Sequence, residues 1–415
     1  MTKDAGKLAI LGGRPLRTKP FDWITKHTVS EWRTLRGMFE RGVIPMTRGP
    51  EVNRLRELFC KRFGMKYAVT ASSGTAAIHT ALAAVGVGRG DEVITCPWTD
   101  MGSLAGILQL NAVPVFADVD PATGMMTAQT VAAKITPRTR AVEVVHLGGI
   151  ATDAPGIVRL CRPKGIAVVE DCAQSYLCTW GKRIAGTIGD IGCWSMNEAK
   201  HLGTGDGGIL MTNNRELARR ADLFADKCYD REGGPVDPFF APVCYRLNAM
   251  AAQVGCEQFK LIDKRADRRH RLGTMLDAKL REIPGITPRK VRKGDYATYW
   301  HYAFRIDPNV LGCTNIEFAK AVTAEGVECN PSRVTGVLAW SLFRNDTDDR
   351  HACSYHCPLY KGPKPDYNPQ NYPGLQQICL EMVTVALAST FSVQDTLDMA
   401  RCVAKVAKYY ARSKA

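Results

Sequence analysis

The chain has 415 residues, 45% of them hydrophobic and 23% charged, a globular composition that excludes disordered and fibrous classes. That length suits one large domain with a smaller one and exceeds what a simple binding module needs. Fifty-five Lys and Arg against forty-one Asp and Glu leave a net charge of +14, compatible with anionic small molecules, while the scatter of those charges argues against nucleic acid.

At the N-terminus the apolar run from Leu8 to Leu11 is too short for a signal-peptide core or a membrane span. Fifteen cysteines, with no paired Cys-x-x-Cys units at zinc spacing, read as reduced thiols rather than a metal site. The expected location is the cytoplasm, with no membrane partner.

From residue 66 short β-branched runs alternate with helical patterns. Strands are expected at Tyr67 to Thr70, Glu92 to Thr95, Val113 to Phe116, Ala141 to Val145 and Ile166 to Val169, with helices over Thr75 to Ala84, Ser103 to Leu110 and Thr127 to Ile135. Apolar strands separated by helices predict a mostly parallel sheet covered on both faces. Ile191 to Met196 and Gly208 to Thr212 follow too closely for a crossover helix and read as a hairpin or an antiparallel edge. One long helical pattern runs from Asn248 towards Leu280. Its basic stretch, Lys260 to Arg271, reads as a solvated helix face. Beyond Pro284 the texture becomes α+β, with a strand over Tyr299 to Ile306, a helix over Ile316 to Glu325 and a terminal helix over Val393 to Tyr409. The irregular stretch Arg344 to Tyr372 reads as a functional or mobile loop. The division expected is an N-terminal arm (1–30), a large domain (31–260) and a small C-terminal α+β domain (261–415).

Three segments carry chemistry. Ala71-Ser72-Ser73-Gly74-Thr75-Ala76-Ala77 follows a strand and opens a helix, so its backbone N–H groups and hydroxyls form either an anion cradle or a plain small-residue cap. Val168-Val169-Glu170-Asp171-Cys172-Ala173-Gln174-Ser175 delivers an acid at the C-terminal end of a buried strand, the sheet edge where ligands bind in open α/β folds. Asp171 there either faces a protonated ring nitrogen or caps the next helix. Cys193 to Gly208 sets Lys200 between a strand and a glycine-rich turn, where the backbone can approach a ligand closely. His146 ends another strand at the same edge, either as a pocket residue or as a satisfied core histidine.

In that order and spacing the three segments resemble the DegT/DnrJ-type sugar aminotransferases, within the fold-type I pyridoxal phosphate enzymes. The likeness extends over Gly49-Pro50-Glu51-Val52, Gly90-Asp91-Glu92-Val93-Ile94, Pro114 to Asp120, Gly205-Asp206-Gly207-Gly208 and Tyr245-Arg246-Leu247-Asn248. It implies a large, mostly parallel seven-stranded sheet domain with a smaller α+β domain, and pyridoxal 5′-phosphate held as a Schiff base on Lys200. It further implies that Asp171 pairs with the ring nitrogen, that Gln174 lies beside the phenolic oxygen, and that Gly74, Thr75 and Ser195 hold the phosphate, which makes Ser73 of the same cradle a cofactor-binding candidate too.

Two departures from the family pattern stand out. Asp100 replaces the aromatic residue that covers the ring, leaving Trp98 as the candidate stacking face or as a core residue. Cys244 replaces an Asn that reaches a neighbouring subunit's phosphate, so that contact is either lost or taken over by Asn248. His201 beside Lys200 invites comparison with dehydratases of this fold, although the lysine spacing from Ser195 is intact. The activity implied is transfer of an amino group from glutamate or glutamine to a keto sugar, nucleotide-sugar or cyclitol, by a homodimer with shared sites. The Gly12-Gly13-Arg14-Pro15-Leu16-Arg17 run looks like the cyclitol side of the family. Elimination, dehydration or carbon–carbon cleavage on the same cofactor is the alternative, prompted by Asp100, and a cofactor-bound regulator without turnover is a third class.

Overall fold

A computed structural model describes residues 7–22, 27–45, 47–231, 233–234, 237–238, 240–332, 336–344 and 355–414. Its centre is a sheet of β1 (Tyr67–Ala71), β2 (Glu92–Thr95), β3 (Val113–Phe116), β4 (Thr139–Val145), β5 (Ala167–Asp171), β6 (Ile191–Ser195) and β7 (Gly208–Thr212). The spatial order is β1-β7-β6-β5-β4-β2-β3. Four of the six pairings are parallel. β7 runs antiparallel to both β6 and β1, so the expected antiparallel pair is present but is not an edge. β1 takes the edge, and β7 lies inside it with all five residues buried, as befits a run that is apolar on both faces.

Before the sheet come α1 (Val29–Glu40) and α2 (Pro50–Phe63), and after β1 and β2 come α3 (Gly74–Ala84) and α4 (Met101–Gln109). Ser73 caps α3, its Oγ accepting from Ala76 N at 3.0 Å, and nine of the helix's eleven residues are buried. A helix apolar on every side belongs inside a protein, and α3 packs against α4 and against β6. Its start is thereby aimed at the C-terminal ends of the central strands.

The long pattern after Asn248 forms two helices, Ala249–Phe259 and Ile262–Leu280. At the break the chain tightens: Lys260 N donates to Glu257 O and Leu261 N to Gln258 O, the three-residue spacing typical of a helix end. The basic stretch is only partly solvated. Arg265 and Arg269 are buried, and the Arg269 guanidinium donates to the carbonyls of Tyr299, Trp300 and Leu387. The reading of that stretch as a solvated face is corrected to this extent: a guanidinium can satisfy several carbonyls at once, so arginines can serve inside a core.

A second sheet, wholly antiparallel, takes Ile286–Pro288, His301–Ile306, Met382–Ala386 and Cys329–Pro331 in that order. One contiguous apolar core runs from the main sheet into this one, including Val93, Val142 and Leu210 as well as Phe304, Phe318 and Val385. The N-terminal segment is tied to the far end of the chain. Ala9 N and Leu16 N donate to Glu325, and Arg17 pairs with Asp395 and Asp398 of the terminal helix Val393–Lys414. The irregular stretch starts at the end of a helical turn, Ser341–Arg344, and contains a short helical turn at Pro369–Asn371, while residues 345–354 lie outside the described residues. Among the described residues no helix is long and apolar enough to cross a membrane.

Candidate active site

Two cavities compete for attention. The larger, about 410 Å³, lies between α2 and the helix Arg215–Ala225. Four of its five arginines are already engaged, Arg48 and Arg56 with Asp222, Arg219 with Asp230 and Arg231 with Asp226. The smaller, about 320 Å³, opens at the C-terminal ends of the central strands and collects a lysine, three acids and a histidine. Reactive groups gather there, so it is the candidate site.

Seven of the nine sequence-predicted residues line this cleft: Ser73, Gly74, Thr75, Asp171, Gln174, Ser195 and Lys200. At one end the start of α3 abuts β6 so closely that a Cβ on Gly74 would stand 2.5 Å from Ser195 Cβ. The same intimacy recurs where Gly208 opens β7 against the carbonyl of Ser73, with 2.0 Å left for a Cβ. Backbone amides of a helix start and three hydroxyls thus converge, a donor set made for a phosphate group.

Lys200 sits in the loop joining β6 to β7, which is braced by its own backbone. Met196 N bonds Gly207 O, Glu198 N bonds Gly205 O and Lys200 N bonds Asn197 O. Asn197 Nδ2 donates to Asp206 Oδ1 at 2.9 Å. Burial lowers the pKa of Lys200, and the charges of Asp171 and Asp100 oppose that shift. The amine is therefore easier to hold neutral than a solvated lysine.

Asp171 ends β5 with Val145 of β4 and Cys193 of β6 as register partners. Burial raises its pKa, while the N–H of Ala173, the hydroxyl of Ser103 and the charge of Lys200 pull it back. Ser103 Oγ donates to Oδ2 at 2.8 Å and Ala173 N to Oδ1 at 2.9 Å. Gln174 Oε1 accepts from Gly148 N at 3.0 Å, so the amide N–H groups are what it can offer a ligand. An anion cradle at one end, an acid in the middle and an amine whose pKa burial lowers match the phosphate, ring nitrogen and aldehyde of pyridoxal phosphate. The residues present fit that group.

His146 lines the cleft as well, and its environment sets its tautomer. Thr152 N donates to Nδ1 at 2.9 Å, which leaves Nε2 to carry the hydrogen given to Glu170 Oε2, also at 2.9 Å. Burial alone would raise the Glu170 pKa, but His146 and the N–H groups of Gly189 and Gly186 outweigh it and hold it below its ordinary value.

Two of the predicted residues lie elsewhere. Trp98 does not line the cleft: its indole N–H donates to Ser332 Oγ at 3.0 Å and its ring packs beneath Gly124. A buried tryptophan needs a partner for its one donor, and Ser332 draws it away from the sheet edge. Asn248 caps the helix Ala249–Phe259, accepting from Ala251 N at 2.8 Å, and lines a neighbouring groove with Arg246 and Asp206. Asp100 has a local explanation, since it caps α4 by accepting from Gly102 N at 3.0 Å. His201 is buried outside the cleft, its Nε2 facing the carbonyl of Thr298. Cys244 is exposed.

Residues that the sequence reading missed include Ser103, Asn197, Asp206 and Trp300, all in the cleft wall. Ser103 was foreseeable as a polar residue in the first turn of a helix opening at this edge. Trp300 comes from the second sheet, 100 residues after Lys200, and no spacing signals it.

The profile of the family described as "DegT/DnrJ/EryC1/StrS aminotransferase family" matches residues 28–354. A protein of Micromonospora echinospora, provisionally named L-glutamine:3-amino-2,3-dideoxy-scyllo-inosose aminotransferase, is 36% identical over 338 residues, 78% of either chain. An L-glutamine:2-deoxy-scyllo-inosose aminotransferase of Streptomyces fradiae is 34% identical over 336 residues, 77% of this chain and 78% of its own. Among solved structures, the aminotransferase TlmJ of Streptoalloteichus hindustanus aligns with a TM-score of 0.76 at 28% identity, covering 93% of this chain and 97% of that one.

Proposed function

From its membership of the DegT/DnrJ/EryC1/StrS aminotransferase family, we propose that this aminotransferase binds pyridoxal 5′-phosphate covalently on Lys200 and moves an amino group from L-glutamine or glutamate to a keto-cyclitol. The observation that carries the reading is the meeting of Ser73, Gly74, Thr75, Ser195, Asp171, Gln174 and Lys200 in one cleft. The acceptor class is supported by the relatives named for scyllo-inosose substrates. Keto sugars and nucleotide-sugars are the other acceptors that the sequence leads one to expect, beside the cyclitols.

The cofactor supplies an electron-withdrawing ring that stabilises negative charge at the substrate carbon. The chain supplies the rest. Asp171, whose carboxylate accepts from Ser103 Oγ and Ala173 N, would hold a proton on the ring nitrogen. Gln174 offers amide N–H groups to the phenolic oxygen, and the start of α3 with Ser195 anchors the phosphate. Lys200, whose pKa burial lowers, would hold the cofactor through Nζ, and the same nitrogen can accept and return a proton. His146, held as the Nε2–H tautomer by Thr152 and Glu170, keeps the cleft wall fixed. Asp100 is engaged as a helix cap, so the departure that prompted an elimination reading has a structural role and does not favour that chemistry.

The reading includes a homodimer with shared sites and a reducing compartment. Every cysteine among the described residues is a free thiol, as expected in the cytoplasm. Light scattering at micromolar concentration checks the dimer. For the chemistry, borohydride reduction and peptide mapping should place the cofactor on Lys200. Glutamine alone should then convert the bound cofactor to its amine form, and 2-deoxy-scyllo-inosose should restore it. A reduced adduct on another lysine, or a donor panel that never yields the amine form, overturns the proposal.

A further inference from the structure

Trp300 stands in the cleft wall opposite the backbone that carries Lys200. It begins the strand side of the second sheet, immediately before His301–Ile306, so it reaches the main sheet's edge from another layer of the molecule. Three hydrogen bonds hold it. Its backbone N–H donates to Gly148 O at 3.1 Å, its carbonyl accepts from Arg269 Nη1 at 2.9 Å, and its indole Nε1–H donates to Ala199 O at 2.6 Å. The last of these fastens the ring to the peptide preceding the lysine. The face of the same ring lies under the lysine side chain, with Nζ 4.1 Å from the centroid.

The approach to Trp300 is costly in backbone terms. Tyr299 has φ of +40°, a region that a bulky aromatic residue rarely adopts. Its side chain is locked by a bond from the phenol to Asp277 Oδ2 at 2.8 Å. The buried Arg269 adds donors to both the Tyr299 and Trp300 carbonyls. Strain of this kind persists where surrounding contacts over-determine the geometry, and here they all serve to present one indole to one amine.

Resting on the assignment of Lys200 above, we propose that Trp300 is the positioning residue for that lysine. Its N–H fixes the lysine's backbone, and its ring face steadies the side chain while Nζ carries a proton. A tryptophan face attracts an ammonium more strongly than any other aromatic side chain, and more so in a site removed from water. No bond is made or broken by Trp300. The proton that Nζ accepts is the one it later gives up, so the indole's contribution is to keep the charged amine in line between the two transfers.

The test uses Trp300→Met, which keeps an apolar side chain over the lysine but removes the π face and the N–H, and Trp300→Phe, which keeps a weaker face. In protein freed of cofactor, the rate at which an amine-directed reagent modifies Lys200 is followed by mass spectrometry at a pH below its midpoint. Loss of the π face should make Nζ easier to deprotonate, so W300M should label about two- to thirtyfold faster than wild type, with W300F in between. In the loaded enzyme W300M should lower kcat about tenfold or more and leave donor KM within about threefold, with W300F restoring part of the rate. Equal or slower labelling of both variants overturns the proposal. If W300M does not fold, as judged by circular dichroism, W300F alone decides by the same criteria. A covalent cofactor mapped to a different lysine would overturn the functional reading itself, whereas the labelling comparison is made without cofactor and fails independently.

Discussion

Ser103 Oγ donates to Asp171 Oδ2 at 2.8 Å, and this bond joins the first turn of α4 to the end of β5 at the acid on which the proposed chemistry depends. Replacing Ser103 by Ala removes a charge-assisted bond worth roughly 1.5–3 kcal/mol. The buried carboxyl then protonates more readily. The sign follows directly: the active form is the ionised one, it is lost as pH falls through the pKa, and the variant's pKa is higher. The acid limb of the kcat profile should move to higher pH, with turnover slowed about tenfold or more at neutral pH. An unmoved acid limb would show that Ser103 does not hold the charge on Asp171.

Gly74→Ala sets a methyl where only 2.5 Å separates it from Ser195 Cβ. Either α3 or β6 must shift, at a cost typical of overpacking, about 1–3 kcal/mol. Because the displaced groups form the anion cradle, pyridoxal phosphate should bind at least about tenfold more weakly, while phosphate-free pyridoxal should bind as before. Absorbance titration of the two compounds separates the outcomes, and an equal loss for both places the damage outside the phosphate end.

Glu143 gives a prediction about stability. It lies two residues before Val145 on β4, hence on the face that carries Asp171. It is fully buried, and neither carboxyl oxygen has a hydrogen-bonding partner among the described residues. Burial, with the nearby charge of Asp171, raises its pKa well above the ordinary 4.5. The folded state therefore holds a proton that the unfolded state releases above that ordinary value, so folding weakens as pH rises towards the raised pKa. The slope from this one group is about 1.4 kcal/mol per pH unit. Glu143→Gln should lack it, so its advantage in denaturant unfolding should widen from pH 5 upward and vanish in acid. Parallel stability curves for the two proteins would refute the buried neutral acid.

Asp171→Asn should keep the fold and the cofactor's phosphate contacts, yet slow turnover by several orders of magnitude, since an amide cannot hold the ring nitrogen protonated. Stopped-flow absorbance of the half-reaction with glutamine reads this directly. A rate near that of wild type would assign the role to another acid.

Much of the large sheet was legible because its signals are local. Apolar runs such as Val168 to Val169 and the cap at Ser73 each act within a few residues, and the order of cradle, acid and lysine follows the order of strands. Asp171 and Lys200 were visible for the same reason, each closing or following a strand. Trp98 stayed open between stacking face and core because its neighbour in sequence, Thr99, does line the cleft, and only the distant Ser332 determines which way the indole turns. Asn248, expected to reach a neighbouring subunit's phosphate, caps a helix of its own chain through Oδ1, a role that a single residue type signals equally well. The interior position of β7 depends on pairing with β1, more than 130 residues earlier, and Trp300 reaches the site from a different sheet. Those relations are set by packing between remote segments, which periodicity does not record.

The core that passes without a break from the seven-stranded sheet into the four-stranded one has a bearing on how the cleft meets its substrates. Parts of a chain joined by a broad apolar contact do not swing freely against each other. A wall built from both layers, with Trp300 on one side and Lys200 on the other, is shaped before anything enters it. Little ordering entropy then remains to be lost on binding, and discrimination falls to the outline of a cavity that is already in place.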